Sequence, residues 1–337
     1  MIPLNHQYIQ KLAKELRKEG IKIKMMKSFH YSAPYNFIAT LLLKPFGYKI
    51  IHIHWIYVFP FSFLMKLYIK LAKLIGYKIV WTVHNVHPHE NFENNEKTRW
   101  FAKNVDYFFI HYNSNVKKLE DYIQCPIEKN KIKIIFHPSF EDIYTNKLTQ
   151  EEARDMLDIP KDKKVILCFG QIRRYKGIDL FQQAMNSLTE EYFGLIVGEI
   201  KDKELFKEIN SKLEIPNLQI VPKRIKNEDI QIYLNASDVV ITLYTDITTS
   251  GITLLAYSFS KPILSTRVGC MSEILVEGKT GFFIADRTPL AVKNSIIQLF
   301  KEDYKKMGKD SYMFSKKFSW TLLIDSIIQG YGEVLNE

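Results

Sequence analysis

Short apolar runs alternate with amphipathic stretches along the chain. In the first half, the apolar runs predict strands at Ile21–Lys24, Lys49–His54, Lys78–His84, Tyr107–His111 and Lys133–Phe136. The stretches with helical spacing predict helices at Tyr8–Lys18, Phe61–Ile75, Glu96–Lys103 and Val116–Tyr122. Apolar strands that alternate with helices are typical of a parallel sheet covered on both faces. A Rossmann-like half normally opens with a strand, so we expect that the first strand is absent or lies upstream.

The same alternation restarts after a polar stretch at residues 146–150. Strands are predicted at Val165–Phe169, Phe193–Val197, Leu218–Val221, Val239–Leu243 and Pro262–Thr266, with helices between them. We therefore expect an α/β protein with two Rossmann-like parallel-sheet domains, residues 1–148 and 149–317. Ligands of such sheets bind beyond the carboxyl ends of the strands, so the domains are expected to face a central binding cleft. The amphipathic segment 318–337 is expected to return to the N-terminal domain as a helix.

Composition narrows the class of protein. A length of 337 residues favours two domains. The net charge of +10 points to an anionic partner, and a merely solvated lysine surface is an equally good alternative. The three cysteines lie far apart without metal-ligand spacing, which indicates a reducing compartment. No secretory leader pattern opens the chain, and the best apolar run, Ile50–Ile79, is broken by lysines, histidines and a proline. We expect a cytoplasmic protein, either soluble or peripheral on the inner face of the plasma membrane.

A histidine-rich segment follows the strand predicted at Lys78–His84. It runs Trp81-Thr82-Val83-His84-Asn85-Val86-His87-Pro88-His89-Glu90. Metal binding is disfavoured, because residues of this proline-containing loop need not converge and no cysteine completes a ligand set. A structural role for the imidazoles is a second alternative. We favour proton transfer or hydroxyl recognition, since histidine titrates near neutral pH and can act beside a carboxylate.

A second pair of histidines lies in the strand predicted at Lys49–His54. Strand alternation places His52 and His54 on the same side, which is unusual for a buried strand and suggests a polar cleft. Two hydrogen-bonded core histidines are the alternative. For His52 the structural role and a role in the cleft are equally well supported. His54 is the better candidate for the cleft.

Two segments of the second half have the residue types that bind phosphate. The first follows a strand and runs Gly170-Gln171-Ile172-Arg173-Arg174-Tyr175-Lys176-Gly177. Its arginines and lysine are suited to bind phosphate oxygens, although it lacks the P-loop pattern. A solvated basic loop is the alternative. Tyr244-Thr245-Asp246-Ile247-Thr248-Thr249-Ser250-Gly251 precedes an apolar helix, whose N-terminus favours an anion. Simple capping by Thr249 or Ser250 is the alternative. Anion binding is favoured because both segments follow strands of one domain.

Taken in order, several stretches resemble one group of enzymes. Gly170–Gly177 with Ile178-Asp179 looks like a donor-phosphate loop, and Lys261–Leu275 with Glu277–Phe282 looks like a block that contains a strand, a glycine turn and E-I-x-x-x-G-x-x-G. Phe318-Ser319-Trp320 resembles the start of a returning C-terminal helix. The set covers nearly the whole chain and is similar to the GT-B glycosyltransferases. Within them it resembles the family 4-like group that builds bacterial exopolysaccharides and glycolipids.

This resemblance implies a role for each matching position. Arg173 and Lys176 would hold the donor diphosphate, and Val221 to Arg224 would lie against the base. His84 would contact the transferred sugar, and no metal or other cofactor is expected. The implied donor-binding residues are Gly170, Arg173, Lys176, Lys223, Arg224, Asp246, Thr249, Ser250, Gly251 and Ile252, and the implied acceptor cleft contains His54 and Asn85.

The chain also departs from the pattern of the retaining enzymes in the group. Their two glutamates, spaced E-x7-E, are replaced by Ile247 and Leu255, and Asp246 is the nearest acid. Retaining and inverting reactions therefore both stay open. For an inverting reaction one base must deprotonate the acceptor, and the candidates are Glu90, His89 and His84.

The resemblance predicts a metal-independent hexosyltransferase. It would move a sugar from a GDP- or UDP-sugar to a glycan or a polyprenyl- or lipid-linked acceptor in polysaccharide or glycolipid biosynthesis. A sugar-nucleotide epimerase and a non-catalytic sugar-binding subunit are the alternatives. Nucleic acid is not expected as a partner, because the charge forms no arginine-aromatic stripe. The basic run Phe61–Lys73 predicts contact with an anionic membrane, with an ordinary sheet-covering helix as the alternative.

Overall fold

The computed structural model describes residues 7–26, 29–55, 63–86, 95–141, 143–211 and 215–336. The chain divides into two units, Met1–His137 with Trp320–Glu337, and Pro138–Ser319. The division precedes the expected boundary at 148, because the segment after His137 bonds within the second unit. There the Ser139 N–H donates to the Phe318 carbonyl at 2.7 Å, and the Phe140 N–H donates to Ser258 Oγ at 3.1 Å.

The first unit is built on a sheet of four parallel strands. In sheet order these are β1 (Ile50–Ile53), β2 (Lys78–Val83), β3 (Tyr107–His111) and β4 (Ile132–Ile135). Its first five helices are α1 (Gln7–Lys18), α2 (Phe29–Leu43), α3 (Phe63–Leu74), α4 (Asn95–Ala102) and α5 (Ser114–Ile123). Short 3-10 turns lie at Lys44–Phe46 and Lys129–Lys131.

Alternate side chains of the central strands enter two cores on opposite faces of this sheet. Trp81 and Ile110 belong to one core, together with Met65 of α3 and Leu119 of α5. Val80, Tyr107 and Phe109 belong to the other core, together with Leu12 and Leu16 of α1. Burial on both faces explains why these strands are apolar throughout rather than alternating.

One expectation for the first unit fails, and one helix was not predicted. The strand prediction at Ile21–Lys24 is wrong, because residues 21–26 form no ladder within the described chain. A cavity of about 680 Å³ separates this segment from the open edge of β1, so its backbone groups do not reach a partner strand. Helix α2 was not predicted at all, because apolar residues occupy both its faces and leave no clear amphipathic period.

The second unit is built on six parallel strands. Their sheet order is β10 (Gly281–Ile284), β9 (Ile263–Thr266), β8 (Val239–Thr242), β5 (Lys164–Phe169), β6 (Tyr192–Val197) and β7 (Leu218–Val221). Strand order reverses between β5 and β8, and ligands of open α/β sheets bind beyond the strand ends at such a point. The helices are α6 (Gln150–Asp155), α7 (Ile178–Met185), α8 (Lys203–Ser211), α9 (Ile230–Ala236), α10 (Gly251–Ser258), α11 (Met271–Ile274), α12 (Pro289–Leu299) and α13 (Tyr304–Ser315). Short 3-10 turns lie at Arg174–Lys176, Asn227–Asp229 and Lys316–Phe318.

A buried ion pair fixes the start of this second sheet. Thr149 caps α6 in a reciprocal pair with Glu152. The Arg154 guanidinium then donates to Asp238 at 2.8 Å, and the same carboxylate accepts the Val165 N–H at 2.8 Å. The pair thereby links α6, β5 and the residue before β8.

The last helix, α14 (Trp320–Asn336), belongs to the first unit. Its Leu323 and Ile327 enter the core on the α1 side of the sheet. Gly330 permits close packing, since a methyl group there would lie 2.6 Å from the Phe109 ring. Tyr331 shares a 2.7 Å hydrogen bond with His52 of β1. None of the described helices is both long and apolar enough to cross a membrane.

Candidate functional site

The basic loop of the second unit begins where β5 ends. Gly170 has a φ of 104°, a left-handed value that few other residues adopt. A side chain on Gly198 would collide with the Gly170 carbonyl at 1.9 Å, so the residues that directly follow β5 and β6 lie against each other. After an extended Arg173, one 3-10 turn leads to Gly177, which has a φ of 66° and begins α7.

This loop lies against the end of β8, across the point where strand order reverses. A methyl group on Gly177 would lie 2.6 Å from the Leu243 carbonyl, so only glycine allows the approach. The Thr245 N–H donates to the Tyr175 carbonyl at 2.9 Å, and the Tyr175 and Tyr244 rings stack at 6.1 Å. The two segments chosen from the sequence for phosphate binding are therefore neighbours.

Three of the implied donor residues converge around one point. A methyl group built on Gly170 would lie 2.6 Å from Lys176 Nζ and 3.4 Å from Ile252 Cδ1. The strand end, the basic loop and the first turn of α10 thus meet at the Lys176 amine. Gly170 leaves that amine the space that it occupies.

Lys176 is the most perturbed cation of this region. Burial lowers its pKa to about 8, the Cys168 thiol opposes the change, and the charge of Arg173 adds to it. Its amine makes no hydrogen bond or ion pair with any residue that the structure describes. A buried cation without a partner is costly, so an anion bound here would be stabilised.

The start of α10 supplies further donors. Ser250 is the N-cap, and its Oγ accepts the Thr253 N–H at 3.4 Å while it contacts Tyr244 Oη at 3.2 Å. Capping by Ser250, one of the two alternatives weighed from the sequence, is therefore present. The N–H groups of Gly251 and Ile252 are left without an acceptor among the described residues, as in the first turn of any helix, and remain open to an anion.

The three arginines near this site have different partners. Arg174 forks onto Glu208 at 2.8 and 3.1 Å, so it acts within the protein. Arg173 Nε donates to Gln171 Oε1 at 3.0 Å. The Lys201 hydrogen bond is the main cause of a lowered pKa of Glu199, and the charges of Arg224 and Arg173 contribute. Arg173 and Arg224 therefore lie near one carboxylate.

The other implied donor positions lie in exposed or partly exposed segments. Lys223 is exposed beside Arg224 after β7, Asp246 is exposed after β8, and Thr249 is half-buried before α10. Ile247 and Leu255, which stand where retaining enzymes carry glutamates, are both buried. A side chain on Gly269 would meet the Ile247 carbonyl at 1.8 Å, which shows how closely the 244–250 loop is packed.

In the first unit, every strand of the sheet delivers a histidine at its carboxyl end. The cluster consists of His52 and His54 from β1, His84 after β2, His111 at the end of β3 and His137 after β4. Ring centroids lie 4.3 Å apart for His52 and His54, 5.0 Å for His84 and His111, and 6.0 Å for His111 and His137. We call these five residues the histidine cluster.

His54 and His84 form the polar centre of the histidine cluster. His54 Nδ1 lies 3.1 Å from His84 Nε2, so one ring donates and the other accepts. The Trp55 ring stacks on His84 at 4.3 Å and 12°, and the Tyr8 ring meets His84 edge-on at 5.2 Å. The pair thus has a fixed orientation at the end of the sheet.

His52 and His111 are neutral at physiological pH. His52 is held by Tyr331 Oη at Nδ1 and by Thr82 Oγ1 at Nε2, both at 2.7 Å, and burial lowers its pKa to about 3. Burial also lowers the pKa of His111 to about 3; the charge of His137 adds to the shift and the Phe136 backbone opposes it. Since both ring nitrogens of His52 are engaged, the geometry favours its structural reading.

The structure brings together only part of the predicted acceptor region. His54 and His84 are in contact, and Asn85 follows them, half-buried. His89 and Glu90, the other candidates for the base, lie outside the described residues. His111 and His137 were not singled out from the sequence, although a histidine at or just after each apolar strand was a signal for them. No three histidine, cysteine or acidic side chains are arranged to hold a metal ion within the part of the chain that the structure describes.

The two parallel sheets place the chain in the fold class of the GT-B glycosyltransferases. Sucrose-phosphate synthase from Thermosynechococcus elongatus matches with a TM-score of 0.72 at 16% identity, covering 94% of this chain and 81% of that one. Anabaena HepE, solved in complex with UDP, matches with a TM-score of 0.73 at 15% identity, covering 95% and 88%. The prediction of two parallel α/β sheets is confirmed.

Sequence comparison relates the second half of the chain to a family. Residues 149–314 match the family described as "Glycosyl transferases group 1". D-inositol 3-phosphate glycosyltransferase from Corynebacterium urealyticum is 26% identical over 194 residues, which are 54% of this chain and 46% of that protein. The chain thus spans about half the length of this curated relative.

Proposed function

We propose that the protein is a glycosyltransferase that moves a sugar from a nucleotide-diphospho-sugar to a hydroxyl group of a glycan or lipid-linked acceptor. The match of residues 149–314 to the group 1 glycosyl transferases supports the class of reaction. The observation that carries the proposal is the Lys176 amine at the switch point of the second sheet, which has no hydrogen-bond or ion-pair partner among the described residues and whose pKa is lowered by burial. Among the matched structures, HepE was solved with UDP, which agrees with a nucleotide as the donor half.

The donor site would act by stabilising the leaving diphosphate. Negative charge develops on that group as the bond to the sugar breaks, and preorganised positive groups in a partly dry site bind it more strongly than water does. Lys176, Arg173 and the N–H groups of Gly251 and Ile252 are the groups that we assign to this task. Because they supply the positive charge, we propose that no metal is needed, and excess EDTA should leave the rate unchanged.

On the acceptor side, we propose that the histidine cluster receives the acceptor hydroxyl. The contact at 3.1 Å between His54 and His84 holds two imidazoles together at the end of the sheet, and an imidazole can accept a proton near neutral pH. His84 is one of three candidates for the base, together with His89 and Glu90. Ile247 and Leu255 are apolar and buried, so no glutamate is available at those positions for a retaining mechanism. Proton NMR of the first product anomer would decide between retention and inversion.

Thermal-shift titration with UDP-, GDP- and dTDP-sugars tests the donor site. At least one of them should stabilise the protein, and Lys176→Met should weaken that nucleotide tenfold or more, since charge-assisted hydrogen bonds contribute about 1.5–3 kcal/mol each. Arg174→Met is the matched control, because it removes a cation of the same loop that is paired with Glu208.

Three results would count against the proposal. One is that none of these sugar nucleotides binds, and another is that Lys176→Met binds as tightly as Arg174→Met. The third is conversion of the donor to an epimer without any acceptor, which would indicate an epimerase instead. A cytoplasmic location and a role in polysaccharide or glycolipid synthesis stay predictions from the sequence.

A further inference from the structure

Helix α3 has an apolar face that its own unit does not cover. Its inner face packs in the core through Met65, Tyr68, Ile69 and Ala72. The opposite face carries five large apolar side chains at helical spacing, all exposed: Phe63, Leu64, Leu67, Leu71 and Leu74. An ordinary sheet-covering helix has a polar outer face, so this stripe needs another explanation.

Helix α2 lies beside α3 and has the same property. The Phe37 and Tyr68 rings meet edge-on at 5.1 Å, and Thr40 Oγ1 lies 2.9 Å from Tyr68 Oη. Away from this contact, α2 and the turn after it expose Tyr35, Ile38, Leu41, Leu42 and Phe46. Of the 17 exposed large apolar side chains in the described chain, ten lie on these two helices and that turn. We call these ten residues the apolar face.

Three lysines lie beside the apolar face; of these, Lys66 lies 5.6 Å over the Trp100 ring, and Lys44 donates to the Gly76 carbonyl at 2.6 Å. Lys66 and Lys70 flank the stripe on α3, and Lys44 lies at the end of α2. Lys70 forms no ion pair within the described chain. The charge is also unevenly divided: 21 lysines and arginines against 12 acids give the first unit a net charge of +9, whereas 26 against 25 give the second unit +1.

We propose that the apolar face is a docking surface for an anionic lipid bilayer, which α2 and α3 enter side-on to the depth of the leucine side chains. A large apolar face beside lysines is the pattern by which interfacial helices bind membranes. Anionic lipid attracts basic residues near its surface, and the apolar side chains then enter the boundary between headgroups and acyl chains. This contact is independent of nucleotide-sugar binding and would bring the enzyme to a lipid-linked acceptor.

A second copy of the chain is a poorer occupant of the apolar face. A symmetric dimer through this surface would place two units of charge +9 against each other. Phospholipid headgroups, by contrast, complement that charge. Size-exclusion chromatography with light scattering separates the two, since a dimer would double the mass without any lipid.

Vesicle flotation tests the proposal directly. The full chain, without nucleotide, should float with phosphatidylcholine vesicles that contain 30% phosphatidylglycerol. Its partition coefficient to vesicles of pure phosphatidylcholine should be at least tenfold lower. In 0.5 M NaCl binding should fall but persist, because salt screens the charges and leaves the apolar insertion. The double variant Leu42→Glu, Leu74→Glu should reduce the partition coefficient to the anionic vesicles at least tenfold.

The matched control is Leu290→Glu, Met313→Glu, which makes the same charge change at two side chains of the second unit that are each 65% exposed. It should bind vesicles as the parent does. Three results would overturn the proposal. The parent does not float with the vesicles, or both double variants lose vesicle binding equally, or the parent is a dimer that dissociates only in the Leu42→Glu, Leu74→Glu variant. A retained thermal shift with nucleotide in both variants shows that they fold, so failure of docking is distinct from failure of the proposed transferase.

Discussion

The first unit should lose stability steeply in mild acid because of His52 and His111. Burial holds the pKa of each near 3, whereas an unfolded histidine titrates near 6.5. Between these values the unfolded chain binds two protons that the folded unit does not. The stabilising effect of the neutral rings is therefore complete above about pH 6.5 and is lost as the pH falls toward 3.

The magnitude follows from linkage. From pH 7.5 to 5.0 each of these histidines should lower the free energy of unfolding by about 2 kcal/mol, or about 4 kcal/mol together. Single domains are commonly stable by only about 5–15 kcal/mol, so the effect is large. His52 and His111 lie on the same sheet, and both contributions act on the first unit.

Urea unfolding followed by tryptophan fluorescence measures this effect selectively. All four tryptophans, at positions 55, 81, 100 and 320, lie in the first unit, so the signal does not report on the second. His111→Phe keeps an aromatic ring but cannot titrate, and it should lose about 2 kcal/mol less than the parent between pH 7.5 and 5.0. If parent and variant lose the same free energy, burial does not keep His111 neutral and the reasoning is refuted.

Three further predictions concern packing and the donor site. Gly170→Ala adds a methyl group 2.6 Å from Lys176 Nζ at a left-handed φ, and should lower sugar-nucleotide affinity in a thermal-shift titration while far-UV circular dichroism stays unchanged. Asp238→Asn leaves the buried Arg154 charge unpaired, and chemical denaturation followed by circular dichroism should show about 3–5 kcal/mol of lost stability. Gly330→Val adds a Cβ that would lie 2.6 Å from the Phe109 ring and so forces α14 away from it, and the fluorescence-detected Tm should fall by several degrees; an unchanged Tm would contradict that packing.

Most strands were predictable because the sheets are buried on both faces. Tyr107–His111 and Leu218–Val221 agree with the structure at both ends. Ile21–Lys24 alternates apolar and basic residues as an edge strand would, but pairing depends on a neighbouring edge within reach, which local sequence does not specify. Helix α2 was not predicted because its pattern is inverted: it buries the polar Asn36 and Thr40 and exposes Tyr35, Ile38, Leu41 and Leu42.

The sequence indicated which residue types form the candidate site, but it did not indicate how those residues are arranged in space. Gly170 and Lys176 were chosen from one segment and Ile252 from another, and only the fold at the switch point brings the two segments to one place. Arg174 and Lys176 look alike in sequence, yet Glu208 engages the first and no described residue engages the second. His111 appeared as the end of a core strand, and its place beside His84 depends on the register between β2 and β3.

That dependence on register has a consequence for how the first sheet assembles. His52 of β1 lies opposite Val80 of β2, and His111 of β3 lies opposite Ile135 of β4. Since neighbouring residues of a strand point to opposite faces, a slip of one residue would bury an imidazole in the α3 core and remove it from the cluster. The imidazole proton resonances can therefore serve as a fingerprint of correct strand alignment, one strand at a time, during refolding.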